Sequence, residues 1–331
     1  RLLAAGMIAQ TALSTGGVVQ VQAAEDTYVK TDELTDNDTA APKKDSVIPS
    51  KNQYEYQKQE LAAFCHFGMN TYTGSEWGNG KENPNQFQLT NDFDEETYVK
   101  AIHDAGFKKL IITAKHHDGF CIWPSEMTTH DTETAGYEGD VLEELSRACT
   151  KYNIDMGLYL SPWDVNSEYY GYKDKDGKKL VGADGQPLNG KTWDQVKQED
   201  ALDYNEYYDN QLKEILGNDK YGNNGHFKEV WMDGAKDTND KSNAQDYDFQ
   251  RWFKTIQQYE GKASGKYEDD CLLFGAESYT TVRWIGNERG YAAEETWAKS
   301  TIDRENNTIN SNSRDGYTKG FPNGNQWTVP E

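Results

Sequence analysis

From Tyr54 onward the chain alternates short, nearly continuous apolar runs with amphipathic helical segments, and this alternation restricts the fold more than any other feature. The runs are "LAAFCHFG" (61–68), "KKLIITAKHH" (108–117), "DMGLYLSPWD" (155–164), "KEVWMDGA" (228–235) and "CLLFGAE" (271–277). Helical segments separate them. "DEETYVKAIHDAG" (94–106) has Asp94 as N-cap and Gly106 as stop. In "DVLEELSRACTKYN" (140–153), Val141, Leu142, Leu145, Ala148, Cys149 and Tyr152 recur at helical spacing. Asp140 and Glu143 have the spacing of a capping box. Two further helices are predicted over 201–216 and 246–260. Strands that alternate with helices in this way run parallel, joined by crossovers. They are apolar throughout because both faces are covered.

Two architectures satisfy that pattern, a (β/α)8 barrel and an open doubly wound sheet, and both carry their reactive groups at the C-terminal ends of strands. Here those ends carry His66, then His116 with His117, then Tyr159 and Trp163, then Asp233, then Arg283 and Glu288. No glycine-rich phosphate loop follows any strand, which disfavours the open sheet. The expectation is an α/β fold of the (β/α)8, TIM-like barrel type, incomplete at the C-terminus of this chain. Two segments interrupt the alternation. Residues 172–195 are expected to form an exposed insertion, with a hairpin around "ADGQ", and 236–245 a polar loop after Asp233.

Composition narrows the function. The formal net charge of -22 argues against nucleic acid, whose phosphates demand a basic footprint, and against anionic membrane surfaces. It suits a neutral ligand. The 21 Tyr and 9 Trp suit stacking on sugar rings. Cys65, Cys121, Cys149 and Cys271 lack CxxC spacing, so no zinc site is expected from them, and Cys65 and Cys121 are expected as buried free thiols. Residues 1–24 resemble the remnant of a secretory signal peptide, and 25–50 a polar linker, so the protein is expected to be secreted. No run of 18 apolar residues occurs elsewhere, and no membrane span is expected.

The run "LIITAKHHDGFCIWPS" (110–125) ends in two adjacent histidines. Three readings compete for them: a metal pair, a satisfied structural pair, and a neutral platform that hydrogen-bonds ligand hydroxyls. Asp233 in "EVWMDGA" precedes a glycine that lets backbone and ligand approach; its bland reading is an N-cap or a solvated loop acid. Glu288 in "RWIGNERG" and Glu277 in "FGAES" are acids on later strand ends. Two carboxylates flanking a pocket are what glycoside hydrolysis requires. In "FCHFGMNTYTGSEWGNG" (64–80), Glu76 beside Trp77 combines an acceptor for hydroxyls with an apolar face for ring carbons.

Together "HFGMNTYTGSEWG", "TAKHHDGFCIWPS", "GLYLSPWD", "YNEYYDNQLKEIL", "VWMDGA" and "VRWIGNERGYA" resemble the α-L-fucosidases of glycoside hydrolase family 29 over roughly 60 to 331. The "RWIGNE" form resembles the branch acting on α-1,3- and α-1,4-linked fucose. The resemblance implies a retaining catalytic barrel domain over 51–331 that needs no catalytic metal and no cofactor. It implies that the chain ends before the barrel's last segment and a C-terminal β-sandwich. Asp233 matches the nucleophile and Glu288 the acid/base, with Glu277 as competitor. His66, Glu76, Trp77, His116, His117, Tyr159 and Arg283 match positions that hold the fucose ring. Arg283 is further expected to sit near Asp233 and hold it ionised. The implied partner is a fucosylated oligosaccharide or glycoconjugate. The rival readings are a non-catalytic fucose-binding relative or inactive fragment, and a metal-dependent hydrolase built on His116 and His117.

Overall fold

The computed structural model describes residues 47–90, 93–182, 184–234, 245–261, 271–286, 292, 296–310, 313–314, 317–318, 320–321 and 323–331. All of them lie in one compact unit, Ser46–Glu331. The leader at 1–24, the linker up to residue 46, most of the 236–245 loop and Glu288 lie outside the described residues.

Among the described residues the helices are α1 (Lys51–Gln59), α2 (Met69–Thr73), α3 (Glu95–Asp104), α4 (Val141–Tyr152), α5 (Trp193–Glu199), α6 (Tyr204–Leu216) and α7 (Phe249–Glu260). The strands are β1 (Ala62–Cys65), β2 (Lys109–Lys115), β3 (Asp155–Leu160), β4 (Glu229–Trp231), β5 (Leu272–Phe274) and β6 (Val282–Arg283). Then come β7 (Lys299–Asp303), β8 (Thr308–Asn310), β9 (Ser313–Arg314), β10 (Tyr317–Thr318), β11 (Gln326–Trp327) and β12 (Val329–Pro330).

Seven strands form one curled parallel sheet in the order β1-β2-β3-β4-β5-β6-β12. Each new strand joins the edge made by the one before it, so the order never reverses. A doubly wound sheet requires such a reversal, and this sheet has none. A three-stranded antiparallel sheet, β11-β7-β8, and the β9–β10 pair lie outside the parallel sheet and were not anticipated from the sequence.

Local chemistry explains where the crossover helices begin. Asp94, Asp140, Asp203 and Asp248 each accept a backbone N–H from the first turn of α3, α4, α6 and α7, a cap contributing about 1 kcal/mol. The capping box expected at α4 is only half formed. Asp140 accepts from the Glu143 N–H, while the Glu143 carboxylate lies 3.5 Å from Lys220 Nζ.

All seven residues of β2 are buried, as a strand covered on both faces must be. Its outward Leu110 and Ile112 join Leu158, Val230 and Leu273 in the cluster that buries the apolar faces of α4, α6 and α7. Its inward Ile111 meets Tyr159 and Trp231, with Phe274 against them. Each fully buried aliphatic side chain stabilises by about 1.5–3 kcal/mol.

The 172–195 insertion departs from its expectation in one respect. The bridge between Val181 and Pro187 makes the hairpin, with Ala183 outside the described residues. The segment nonetheless holds a small core of its own, in which Tyr172, Leu180 and Val181 are buried with Val196 of α5. Cys121, Cys149 and Cys271 are buried and Cys65 is half-buried.

Candidate active site

Four consecutive strands bring the predicted residues together. His66 follows β1, His116 and His117 follow β2, Tyr159 lies in β3, and Asp233 follows β4. His66, Glu76, Trp77, His116, His117 and Asp233 line one cavity of about 580 Å3, along with Phe64, Asn70, Trp231, Trp284 and Glu331. Tyr159 is fully buried behind that wall.

A tight turn after β2 is what makes the two histidines face one space. Asp118 Oδ1 accepts the Phe120 N–H at 2.7 Å, and the Gly119 N–H donates to the His116 carbonyl at 3.0 Å. Gly119 has φ +77°, and a Cβ there would stand 2.4 Å from Asp164 Oδ1. The chain therefore bends where a strand would have sent adjacent side chains to opposite faces. The rings of His116 and His117 end with centroids 4.1 Å apart, and His116 lies parallel to Tyr159 at 5.5 Å. His66 meets both of those rings edge-on.

Asp233 is oriented by two hydrogen bonds. Tyr159 donates its hydroxyl to Oδ2 at 2.8 Å, the Gly234 N–H donates to Oδ1 at 2.8 Å, and His117 Nε2 stands 3.7 Å from Oδ2. The side chain keeps 41% of its surface exposed, so it is both oriented and reachable. Burial and the Asp233 charge raise the Tyr159 pKa well above its ordinary value, so the phenol stays a neutral donor.

Gly234 is required for two reasons. Its φ is +67°, and a Cβ would stand 2.8 Å from His117 Cε1.

Two of the cavity's imidazoles, His116 and His66, are pushed toward the neutral form. Burial, then His117 and His66, push His116 down to about 3. Burial lowers His66 against the opposing pull of Asp233 and Glu76. Burial also pushes the Asp118 carboxyl up to about 7.

Trp77 is 55% exposed at the rim, edge-on to Trp163 at 5.9 Å, and Trp163 in turn meets His117 at 4.6 Å. Two fully buried lysines brace the wall. Lys115 Nζ pairs with Asp164 at 3.1 Å and donates to Gln211 Oε1 at 2.8 Å. Lys109 Nζ pairs with Glu229 at 3.0 Å and Glu331 at 3.1 Å, and Trp231 Nε1 donates to Glu331 at 3.0 Å.

Two sequence candidates lie apart from this cavity. Arg283 is buried in β6, with Nε on Thr328 Oγ1 at 3.3 Å and Nη2 on the Trp297 carbonyl. It does not line the cavity, and the expected pairing with Asp233 is replaced by the Tyr159 and Gly234 contacts. The guanidinium is spent on the loops that follow β6. Glu277 is buried in the turn after β5, with φ +51°, and does not line the cavity either. Glu288 lies outside the described residues.

Asn70 and Ser161 were missed. Each contacts a histidine, and polar residues just beyond strand ends were the available signal. His116, His117 and Asp233 also offer ligand atoms within 4.8 Å of one another, a grouping that could hold a cation.

A cavity walled by imidazoles and tryptophans, with an oriented carboxylate at its edge, is a site for a polar ring. Residues 49–282 match the family described as Alpha-L-fucosidase, and the chain belongs to that family. It is 37% identical over 287 residues to Alpha-L-fucosidase 1 of Arabidopsis thaliana, covering 86% of this chain and 47% of that protein. Its fold is similar to a Ruminococcus gnavus GH29 fucosidase in complex with fucose, at 59% identity and a TM-score of 0.77, covering 88% of this chain and 56% of that one. SpGH29 is similar at 36% identity and a TM-score of 0.68, over 87% and 56%. The chain spans about half the length of the curated relatives it matches.

Proposed function

We propose that this chain carries the sugar site of a secreted, retaining exo-α-L-fucosidase that removes terminal α-1,3- or α-1,4-linked L-fucose from glycans. The observation that carries the reading is the Asp233 carboxylate, oriented by Tyr159 at 2.8 Å and exposed to the cavity lined by His66, His116 and His117. The relative from Ruminococcus gnavus that binds fucose supports the choice of sugar. The seven strands in sequential order support an eight-stranded barrel in the complete protein. The leader-like N-terminus supports export.

In this mechanism an Asp233 oxygen attacks the anomeric carbon as the glycosidic C–O bond breaks, and Glu288 gives its proton to the departing oxygen. A fucosyl ester forms on Asp233. Water then attacks the same carbon, Glu288 takes its proton, and the carboxylate is released. Retention requires the two carboxyl groups about 5–5.5 Å apart.

The test uses the full-length gene product with 4-nitrophenyl fucoside and Lewis-type trisaccharides, following the anomer released by NMR. Release of the α-anomer, with cleavage of the branched trisaccharides, supports the reading. Azide should restore activity on an activated fucoside to Glu288→Ala and not to Glu277→Ala. Saturable fucose binding without hydrolysis would establish the non-catalytic alternative.

The clustering of His116, His117 and Asp233 favours a second reading, a metal-dependent hydrolase. Activity lost on chelation and restored by zinc would replace the first reading with this one.

A further inference from the structure

Histidines that hold a sugar are useful only if each presents the right atom to it, and a neutral imidazole has one donor and one acceptor. The protein contacts at Nδ1 therefore decide what Nε2 offers. Asn70 Nδ2 donates to the Glu76 carbonyl and also stands 3.2 Å from His116 Nδ1. The carbonyl fixes the amide orientation, because the swapped amide would set oxygen against oxygen. The second N–H of Asn70 then points at His116 Nδ1, which must accept. The proton of His116 is left on Nε2.

His117 has the opposite arrangement. Its Nδ1 is 2.7 Å from Ser161 Oγ, which has the carbonyls of Trp163 and Asp233 at 2.8 and 3.1 Å. The single hydroxyl proton goes to a carbonyl, so Oγ accepts from Nδ1–H, and Nε2 of His117 is an acceptor. His66 follows the same logic. Thr113 Oγ1 donates to the Cys65 carbonyl at 2.9 Å and accepts from His66 Nδ1 at 3.3 Å.

We propose that Asn70 is a positioning residue that locks His116 as the Nε2–H tautomer, so that the paired imidazoles present one donor and one acceptor to adjacent hydroxyls of the sugar. Without Asn70, His116 is free to offer the same polarity as His117. Two neighbouring hydroxyls of a pyranose, one accepting from His116 and one donating to His117, match the locked pair. This deepens the fucosidase reading and rests on it for the identity of the ligand. The tautomer itself does not depend on that reading.

The full chain has six histidines, few enough for 15N-histidine labelling to resolve His116 by long-range 1H–15N correlation. The wild type is expected to give the Nε2–H pattern at His116. Asn70→Asp, which only accepts when ionised, should switch the ring to Nδ1–H. It should also weaken L-fucose binding by roughly ten-fold, the loss of one hydrogen-bonded partner. Asn70→Ala should give a mixture of both tautomers and serves if the Asp variant does not fold. An Nδ1–H ring in the wild type overturns the proposal, as does an Nε2–H ring retained in both variants. A wild type that shows the Nε2–H pattern yet binds no fucose overturns the sugar assignment and leaves the role of Asn70 intact.

Discussion

The buried hydroxyl of Tyr159 donates to Oδ2 of Asp233 at 2.8 Å, joining the end of β3 to the end of β4 through the group proposed to attack the sugar. A hydrogen bond to a charged group contributes about 1.5–3 kcal/mol. Tyr159→Phe keeps the ring and removes only the donor. Turnover should fall roughly ten- to hundred-fold, with fucose affinity changed less. Steady-state kinetics beside calorimetric fucose titration checks this, and equal losses in both would assign Tyr159 to ground-state binding.

Gly234 combines φ +67° with a Cβ position 2.8 Å from His117 Cε1. Gly234→Ala should lose about 1–3 kcal/mol from backbone strain. It should also displace the His117 ring and so weaken fucose binding. Thermal unfolding and titration of the same preparation measure both. An alanine variant with unchanged stability would contradict the described backbone.

Asp118 and His116 should pull stability in opposite directions with pH. The Asp118 carboxyl is raised to about 7 in the folded chain, against an ordinary value near 3.8. Its contribution is fully present below about pH 3.8 and is lost as pH rises through about 7. His116 is lowered to about 3. Below about pH 6.5 the unfolded chain takes up a proton that the folded ring refuses, so this group costs stability progressively as pH falls toward 3. Asp118→Asn keeps the acceptor for the Phe120 N–H and removes the carboxyl titration. The variant should therefore gain stability relative to wild type as pH rises from 4 to 8, measured by urea unfolding. A constant difference across that range would refute the shift.

Lys109 and Glu229 are fully buried with the half-buried Glu331 beside them, and Lys109 Nζ lies 3.3 Å from the centre of the Tyr56 ring. Lys109→Met removes one partner and leaves buried carboxylates uncompensated. Breaking such a pair costs about 3–5 kcal/mol. Calorimetric unfolding reads the loss. Lys109→Met with Glu229→Gln should recover part of it.

How much of this was legible in the sequence varied with the range of the forces involved. The crossover helices α3, α4, α6 and α7 were readable because their caps and apolar stripes are local. The strand β2 was readable because its seven buried residues sit in one apolar run. The histidine cluster was half readable: its members stood at strand ends, while their mutual geometry depends on the Gly119 bend. Lys109 and Glu229 flank apolar runs and read as edge charges. Their burial depends on a pairing between residues 120 positions apart. Asn70 was missed for a similar reason, since its meaning lies in the Glu76 carbonyl and a ring 46 residues away. Arg283 was misjudged as a partner of Asp233, because one strand end resembles another until the loops beyond it are seen.

The side chains proposed to read the sugar follow β1 to β4, and β2, β3 and β4 each hydrogen-bond to the strand translated just before. A nascent chain leaving the ribosome can therefore assemble the recognition wall progressively, each segment docking on a neighbour already formed. Loops emerging later meet a surface on which Asp233 is already aimed, and their lengths can vary between relatives without disturbing that aim.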